Sequence, residues 1–231
     1  MPERHFVKYT FLKVDPAWRR LDDAERGQHK REFLAACENF AAERLLRAFS
    51  LVGTRGDADL MLLSQAQNLE RIHEFHVVLG QSGLMKWCSV PHSYLAMTKE
   101  SEYSDESRLE VRPAHAKYLF VYPFVKSREW YGLPADERYR IMQEHIRIGR
   151  EFPSVDLNTS YSFGLDDQEF VVAFETDEPG DFLDLVQKLR GTESSRYTKR
   201  DTPTFTCVSC SVERALGALD GEAVGVPEAL A

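Results

Sequence analysis

The same order of strand and helix patterns occurs twice along the chain. That repeat limits the possible folds more than any other feature of the sequence. His5–Val14, rich in aromatic and β-branched residues, reads as a strand. Asp22 and Asp23 introduce a helical pattern that reaches about Ala48. Its apolar positions Phe33, Leu34, Cys37, Phe40, Ala41, Leu45 and Leu46 fall near the 3.6-residue period. Phe49–Val52 reads as a short strand, Gly53–Gly56 as a turn and Asp59–Ser64 as a strand. Asn68–Leu79 reads as a helix and Tyr94–Thr98 as a strand. The polar stretch Ser101–Ala116 connects to a second round. There Tyr118–Val125 is a strongly apolar strand, and Pro134 begins a helix that runs to about Glu151, because its fixed φ suits a helix start. Val155–Phe163 and Glu169–Glu175 are strands around a turn at Gly164–Asp167. Pro179 starts a helix with Phe182, Leu185, Val186 and Leu189 on one stripe, and Thr204–Val208 closes the set.

Two β-α-β-β-α-β units predict an α+β protein made of duplicated ferredoxin-like units, their sheets face to face or in a barrel-like pair. The expected boundaries are 1–105 for the N-terminal half, 106–216 for the C-terminal half and 217–231 for a flexible tail.

Composition excludes several classes. Lys and Arg number 29 against 37 Asp and Glu, a formal charge of −8. Such a chain is a poor partner for nucleic acid or an anionic membrane, both of which select basic surfaces. No apolar run reaches membrane-spanning length, and the charged N-terminus lacks a signal peptide's apolar stretch, so a cytoplasmic protein is expected.

The helix from Pro134 carries Met142, His145, Ile146 and Gly149 on one face. A histidine on an apolar helical face is most often a satisfied core residue. Gly149, one turn on, costs roughly 1 kcal/mol in a helix interior and suggests close approach of another group. A planar cofactor ligated by His145 fits that pattern, since neutral imidazole is a common axial ligand of haem iron. Tyr122 and Lys126 are polar groups on a strand otherwise suited to burial. They read as a structural Tyr and a Lys reaching solvent, or as a redox-active phenol beside a cation.

The run YPFVKSREWYGLPADERYRIMQEHIRIGREF, then YSFGLDDQEFVVAFE, then a Leu-Arg-x-x-Glu-x-Ser element resembles the chlorite dismutase-like superfamily. Within it the chain is most similar to the coproheme decarboxylases of haem biosynthesis. The resemblance is strong over residues 108–208 and rests mainly on element order over 5–100. It implies a dimeric α+β barrel, usually a homopentamer, with an iron porphyrin in the C-terminal half. His145, the only histidine in the matching helix, takes the iron-ligand role. Lys126 and Glu193 match the hydrogen-bonding groups behind that ligand. Arg108, Arg150 and Ser195 match propionate-binding positions, and Trp130 belongs to the pocket. Without the resemblance, Arg108 on its polar connection reads as a solvated charge. Tyr122 matches a tyrosyl-radical residue. The implied reaction converts coproheme III to haem b with hydrogen peroxide as oxidant, each propionate losing CO₂ to leave a vinyl group. Coproporphyrin ferrochelatase is the implied supplier of coproheme.

Chlorite-splitting relatives carry an Arg on the strand after this helix. Here the position falls on Leu157 counting back from Gly164, or on Asn158 counting forward from His145. Neither supplies a charge-assisted donor, nor the Gln of many decarboxylases. A chlorite dismutase, a haem peroxidase and a non-enzymatic haem-binding protein are the alternatives. Cys207 and Cys210 form a lone C-x-x-C that reads as a buried, reduced pair. His73 and His76 read as surface residues, and Gly53–Gly56 is too short for a phosphate loop. His115 is the reserve candidate for the iron ligand.

Overall fold

The structure, a computed structural model, describes residues 4–103 and 115–221. The first half comprises β1 (Phe6–Val14), α1 (Asp23–Ala41), β2 (Leu45–Ser50), β3 (Leu60–Ala66), α2 (Leu69–Gly80) and β4 (Cys88–Met97). The second comprises β5 (Tyr118–Lys126), α3 (Arg128–Gly132), α4 (Ala135–Gly149), β6 (Asp156–Tyr161), β7 (Phe170–Thr176), α5 (Pro179–Arg190), β8 (Thr198–Arg200) and β9 (Phe205–Cys210). A last helix, α6, spans Val212–Leu219.

All pairings are antiparallel, in the order β7-β6-β4-β1-β3-β2-β9-β5-β8. The first half is ordered β4-β1-β3-β2 and the second β6-β7-β5-β9, the same arrangement read from its opposite end. β7 also pairs with β5, so the ladder returns on itself and the sheet closes. The halves are joined twice, by β2 against β9 and by β4 against β6. Closure leaves two kinds of core. The inward faces pack Val7, Tyr9, Phe11, Phe49, Met61, Leu119, Val121 and Phe205. The outward faces are covered by helices.

The helix-side layers of the two halves differ. In the first, Trp18, Phe33, Phe40, Ile72, Phe75 and Leu84 fill the space between sheet and helices, and α6 adds Leu216 and Leu219. In the second, the buried cluster contains only Phe120, Phe174, Phe182 and Leu185, with Tyr122, Ile148, Phe152 and Val172 partly buried against it. The sparser layer holds the candidate site.

Several boundaries differ from the sequence reading, each for a physical reason. α1, capped by Asp22 accepting from the Glu25 N–H at 2.8 Å, ends at Ala41 rather than about Ala48. Leu45 and Leu46 fit the helical stripe, yet they lie in β2 and point to opposite cores, Leu45 inward and Leu46 toward the helices. An apolar run facing two cores carries no period that tells strand from helix. β4 begins at Cys88, not Tyr94. Its first part shifts register opposite Phe11–Lys13, a bulge that accommodates Pro91. The expected flexible tail starts too early, because Gly217–Leu219 belong to α6 and are buried against the first half. Residues 222–231 of that tail lie outside the described residues.

One buried ion pair crosses the closed sheet. Arg47 on β2 meets Glu175 on β7 at 2.7 Å, their side chains 10% and 2% exposed. Removing one partner of such a pair leaves an uncompensated buried charge. Arg47→Met is therefore expected to lower unfolding stability by about 3–5 kcal/mol, read as a reduced urea midpoint at constant slope. A shift below about 1 kcal/mol would contradict it.

Candidate active site

Strand alternation decides which residues share the helix-covered face of the second half. Phe120 on β5 and Leu157 on β6 both pair with Phe174 on β7, while Tyr122 and Thr159 both pair with Val172. Directly opposed residues in adjacent strands project to the same side, so Phe120, Tyr122, Leu157, Thr159, Val172 and Phe174 form one face. The Tyr122 and Phe174 rings stack with centroids 6.1 Å apart. Asn158 pairs with Ala173, part of the inward core, and is itself buried on that side. The two candidates for the distal position therefore lie on opposite faces of the sheet. Leu157 is on the site face and 46% exposed, whereas Asn158 points to the barrel interior.

α4 lies over this face. Pro134 is its N-cap, one residue before the first helical turn, and Ile148 packs against the cluster containing Tyr122. His145 is half-buried on the helix. Its Nδ1 is buried, and neither ring nitrogen hydrogen-bonds to another described residue. Burial depresses its pKa to about 4, the charge of nearby Lys126 acting in the same direction and Glu144 opposing. The imidazole is thus neutral at physiological pH. A Cβ built on Gly149 meets no protein atom within 4 Å, so no other part of the described chain requires glycine there. A half-buried imidazole whose buried Nδ1 has no partner among the described residues, a sparse layer and an aromatic face fit a planar group ligated through its metal, since an unsatisfied buried polar atom is costly when no ligand takes it.

The folded pKa of His145 lies below the ordinary 6.5, so between pH 6.5 and 4 the unfolded chain binds more protons and this group's contribution to stability falls as pH falls. In ligand-free protein the His145 imidazole NMR signals are expected to titrate near pH 4. An inflection near 6.5 would refute the buried environment.

Lys126 is 7% exposed at the end of β5. Its Nζ donates to Ser194 O at 2.8 Å and to Ser194 Oγ at 3.0 Å, and sits 4.6 Å above the Trp130 ring. Burial lowers its pKa to about 8, with Glu169 opposing. Trp130, on the short helix α3 that the sequence reading missed, is 3% exposed and packs against Lys126, Tyr103 and Tyr197. Tyr122 has no hydrogen bond to a described residue. Burial raises its phenol to about 12, the Asp201 charge adding to this and Arg190 opposing.

The remaining positions divide. Glu193, matched to the group behind the histidine, pairs with Arg140 at 2.9 Å, its side chain 34% exposed. It starts a 3-10 turn, Glu193–Tyr197, in which the next residue, Ser194, turns inward to Lys126. Ser195 is half-buried in the same turn. Arg150 is exposed at the C-cap of α4, its N–H donating to Ile146 O at 3.0 Å. Arg108 lies outside the described residues. His115, in the left-handed region at φ 56°, precedes β5.

Ser194 and Glu169 escaped the sequence reading. Glu169 Oε2 accepts the Lys126 N–H at 2.8 Å and the Tyr131 hydroxyl at 2.6 Å. Both residues stand inside the quoted motifs, but nothing in a linear pattern assigns them these partners. The Gly-Leu-Asp-Asp signature proves to be architectural: Gly164 takes a left-handed turn at φ 72°, and Asp166 Oδ2 accepts the Leu95 N–H at 2.7 Å, tying the second half to β4. Cys207 faces the inward core and Cys210 the helix side, because three steps along a strand reverse the face. His76 is occupied by Thr10 Oγ1 and Ile72 O, both at 2.9 Å, and His73 is exposed. Among the described residues no group of three His, Cys, Asp or Glu side chains forms a metal site, and no helix is long and apolar enough to cross a membrane.

Comparison with known proteins agrees with this architecture. The chlorite dismutase family model matches residues 2–210. A coproheme decarboxylase of Mycolicibacterium smegmatis is 34% identical over 180 residues, covering 74% of this chain and 75% of that protein. A chlorite dismutase variant from Candidatus Nitrospira defluvii superposes with a TM-score of 0.88 at 23% identity, over 95% and 97% of the two chains. A haem-binding protein from Thermus thermophilus superposes at 0.83 with 26% identity, over 94% and 95%. The chain belongs to the chlorite dismutase family.

Proposed function

We propose that this protein is a coproheme decarboxylase that converts coproheme III to haem b with hydrogen peroxide. The observation that carries the proposal is the neutral imidazole of His145, without a partner among the described residues, on a helix packed over the face that bears Tyr122. The 34% identity to a coproheme decarboxylase supports the same substrate. His145 binds the iron. Lys126, held by Ser194, keeps a cation beside that ligand and disfavours its protonation. Arg150, Ser195 and Arg108 receive propionates, guanidinium being suited to bidentate carboxylate contacts. Arg108, Lys126 and Arg150 offset locally the long-range repulsion between a chain of charge −8 and a tetra-anionic porphyrin. Trp130 supports Lys126 from below.

The bound iron porphyrin supplies the redox chemistry with peroxide, and the protein supplies position and electrostatics. Tyr122 carries the oxidising equivalent to the substrate. As a phenoxyl radical it takes a hydrogen atom from the propionate β-carbon. Loss of a further electron and of CO₂ leaves the vinyl group. For each propionate, R–CH₂CH₂–COO⁻, H₂O₂ and H⁺ give R–CH=CH₂, CO₂ and two H₂O. The acting form is a cytoplasmic homopentamer receiving coproheme from coproporphyrin ferrochelatase.

The test is to titrate the protein with ferric coproheme and then with peroxide, following products by mass spectrometry. Stepwise monovinyl and divinyl products are expected. Binding followed only by porphyrin bleaching would overturn the proposal.

Of the two distal candidates Leu157 is the one on the site face, and as the counterpart of the Arg of chlorite-splitting relatives its apolar group disfavours anion chemistry. Leu157→Arg is expected to raise the affinity of the ferric complex for azide or fluoride by about 10–100-fold, the value of one charge-assisted hydrogen bond. Unchanged anion affinity would place the distal side elsewhere.

A further inference from the structure

The first half carries polar groups where the second half stacks rings. β1 pairs with β3 as β5 pairs with β7: the first residue of each leading strand, Phe6 or Tyr118, lies opposite the last of its partner, Ala66 or Thr176. Two steps on, Lys8 and Ser64 correspond to Phe120 and Phe174. The helices α2 and α5, both of 12 residues, likewise align Ile72 with Phe182 and His76 with Val186. In the second half Phe182 packs on Phe120 at 4.1 Å and on Phe174 at 5.1 Å. In the first, an ammonium and a hydroxyl stand in place of those two sheet rings. A groove of about 430 Å³ lies there between α2 and the β1–β4 ladder, lined by Lys8, Leu69, Ile72, His73, His76 and Leu95, with Glu70 at its rim.

Lys8 is built into this groove. It stands between Ser64 on β3 and Leu95 on β4 in one cross-strand row, whose next member, Leu46, belongs to the helix-side core. Its Nζ donates to Ser93 Oγ, a neutral acceptor, and among the described residues no carboxylate forms an ion pair with it. Asp166, whose charge it feels, is already engaged by the Leu95 N–H at 2.7 Å, Gln168 Nε2 at 3.1 Å and the Asp167 N–H at 2.9 Å. Ser64 Oγ is buried and has no partner among the described residues. His76 is no rival for a ligand: its Nδ1 donates to Ile72 O and its Nε2 accepts from Thr10 Oγ1, both at 2.9 Å. A half-buried ammonium without a counter-ion is costly, and an anion entering the groove relieves that cost.

We infer that the groove between α2 and β4 is a binding site for a small amphipathic acid, an aliphatic monocarboxylate of medium chain length. The carboxylate accepts from the Lys8 ammonium, and the chain lies against Leu69, Ile72 and Leu95. One cation beside an apolar wall suits a single carboxylate. A phosphate ester needs several converging donors, and the exposed Glu70 at the rim opposes ligands of higher negative charge. The site lies in the half of the chain that does not carry His145, and it does not depend on the iron-porphyrin reading.

The test titrates the full-length protein with sodium octanoate by calorimetry, with octanamide as the uncharged counterpart. Octanoate is expected to bind at least about tenfold more tightly than octanamide, the value of one hydrogen bond to a charged group. Lys8→Met keeps most of the stem and removes the charge, so it should bring octanoate down to the affinity of octanamide. Leu95→Trp keeps Lys8 but fills the groove, and should abolish binding of both. In the native protein octanoate should shift the methyl NMR signals of Ile72 and Leu95 and leave those of Leu157 in place. The native titration and these shifts read the site even if a variant fails to fold. No binding of octanoate to the native protein, equal binding by folded Lys8→Met, or shifts confined to Leu157 would overturn the inference. Displacement of octanoate by ferric coproheme would do the same, since it would put the acid in the porphyrin site. Conversion of coproheme is followed separately, so either reading can fail while the other stands.

Discussion

Tyr122→Phe is expected to bind ferric coproheme with native affinity and to form no vinyl product, kcat falling by roughly a thousandfold or more, about 4 kcal/mol of barrier. Ring and hydroxyl have separate roles. The ring packs against Phe174 in the helix-side cluster, and Phe preserves that contact. The hydroxyl has no hydrogen bond to a described residue, so its loss leaves no orphaned partner and changes stability by about 0.5 kcal/mol or less. What disappears is an oxidisable phenol. A group that acts only in the reacting complex lowers kcat without touching ground-state binding. Single-turnover mixing of the coproheme complex with peroxide reads this directly. Native vinyl formation in the variant would remove Tyr122 from the mechanism.

His145→Ala is expected to lose the five-coordinate, histidine-ligated ferric spectrum and to weaken coproheme binding at least about 100-fold, near 2.7 kcal/mol. Folding stability should change little in the ligand-free protein. The imidazole donates and accepts no hydrogen bond among described residues, and its burial is itself a cost. Adding free imidazole to His145→Gly offers a direct check, since it enters the vacated volume and restores the native spectrum if the ligand assignment holds. An unchanged spectrum in His145→Ala would move the ligand to another residue, His115 being the nearest alternative in the chain order of the second half.

Much of the fold was legible in the chain because short-range chemistry decides it. Asp22 caps α1, Pro179 opens α5, and Phe182, Leu185 and Leu189 face the sheet at helical spacing. The duplicated element order carried the α+β architecture, whereas only the family resemblance pointed to the second half as the chemical one. His145 stood out because a helix with Gly149 one turn away is locally inconsistent with a pure packing role. Short-range signals failed where one segment serves two cores, as at Leu45 and Leu46, or where a bulge hides a strand, as at Pro91.

The sequence by itself determined which residues could do chemistry: one histidine in the family-matching helix, a Tyr-Pro strand ending in Lys126, and no Arg at either distal candidate. Only the tertiary structure decided which way they face and what they touch. Strand register puts Leu157 on the site face and Asn158 inside the barrel, a choice that counting from either flank leaves open. The 3-10 turn swings Ser194, not Glu193, onto Lys126. Glu169 and Tyr131 become partners across 38 positions of chain. The physical reason is common to all three. Periodicity tells which side a residue takes relative to its own neighbours. Which side faces the site, and which carboxylate meets which donor, is set by strand pairing and by barrel closure, and these join residues distant in sequence.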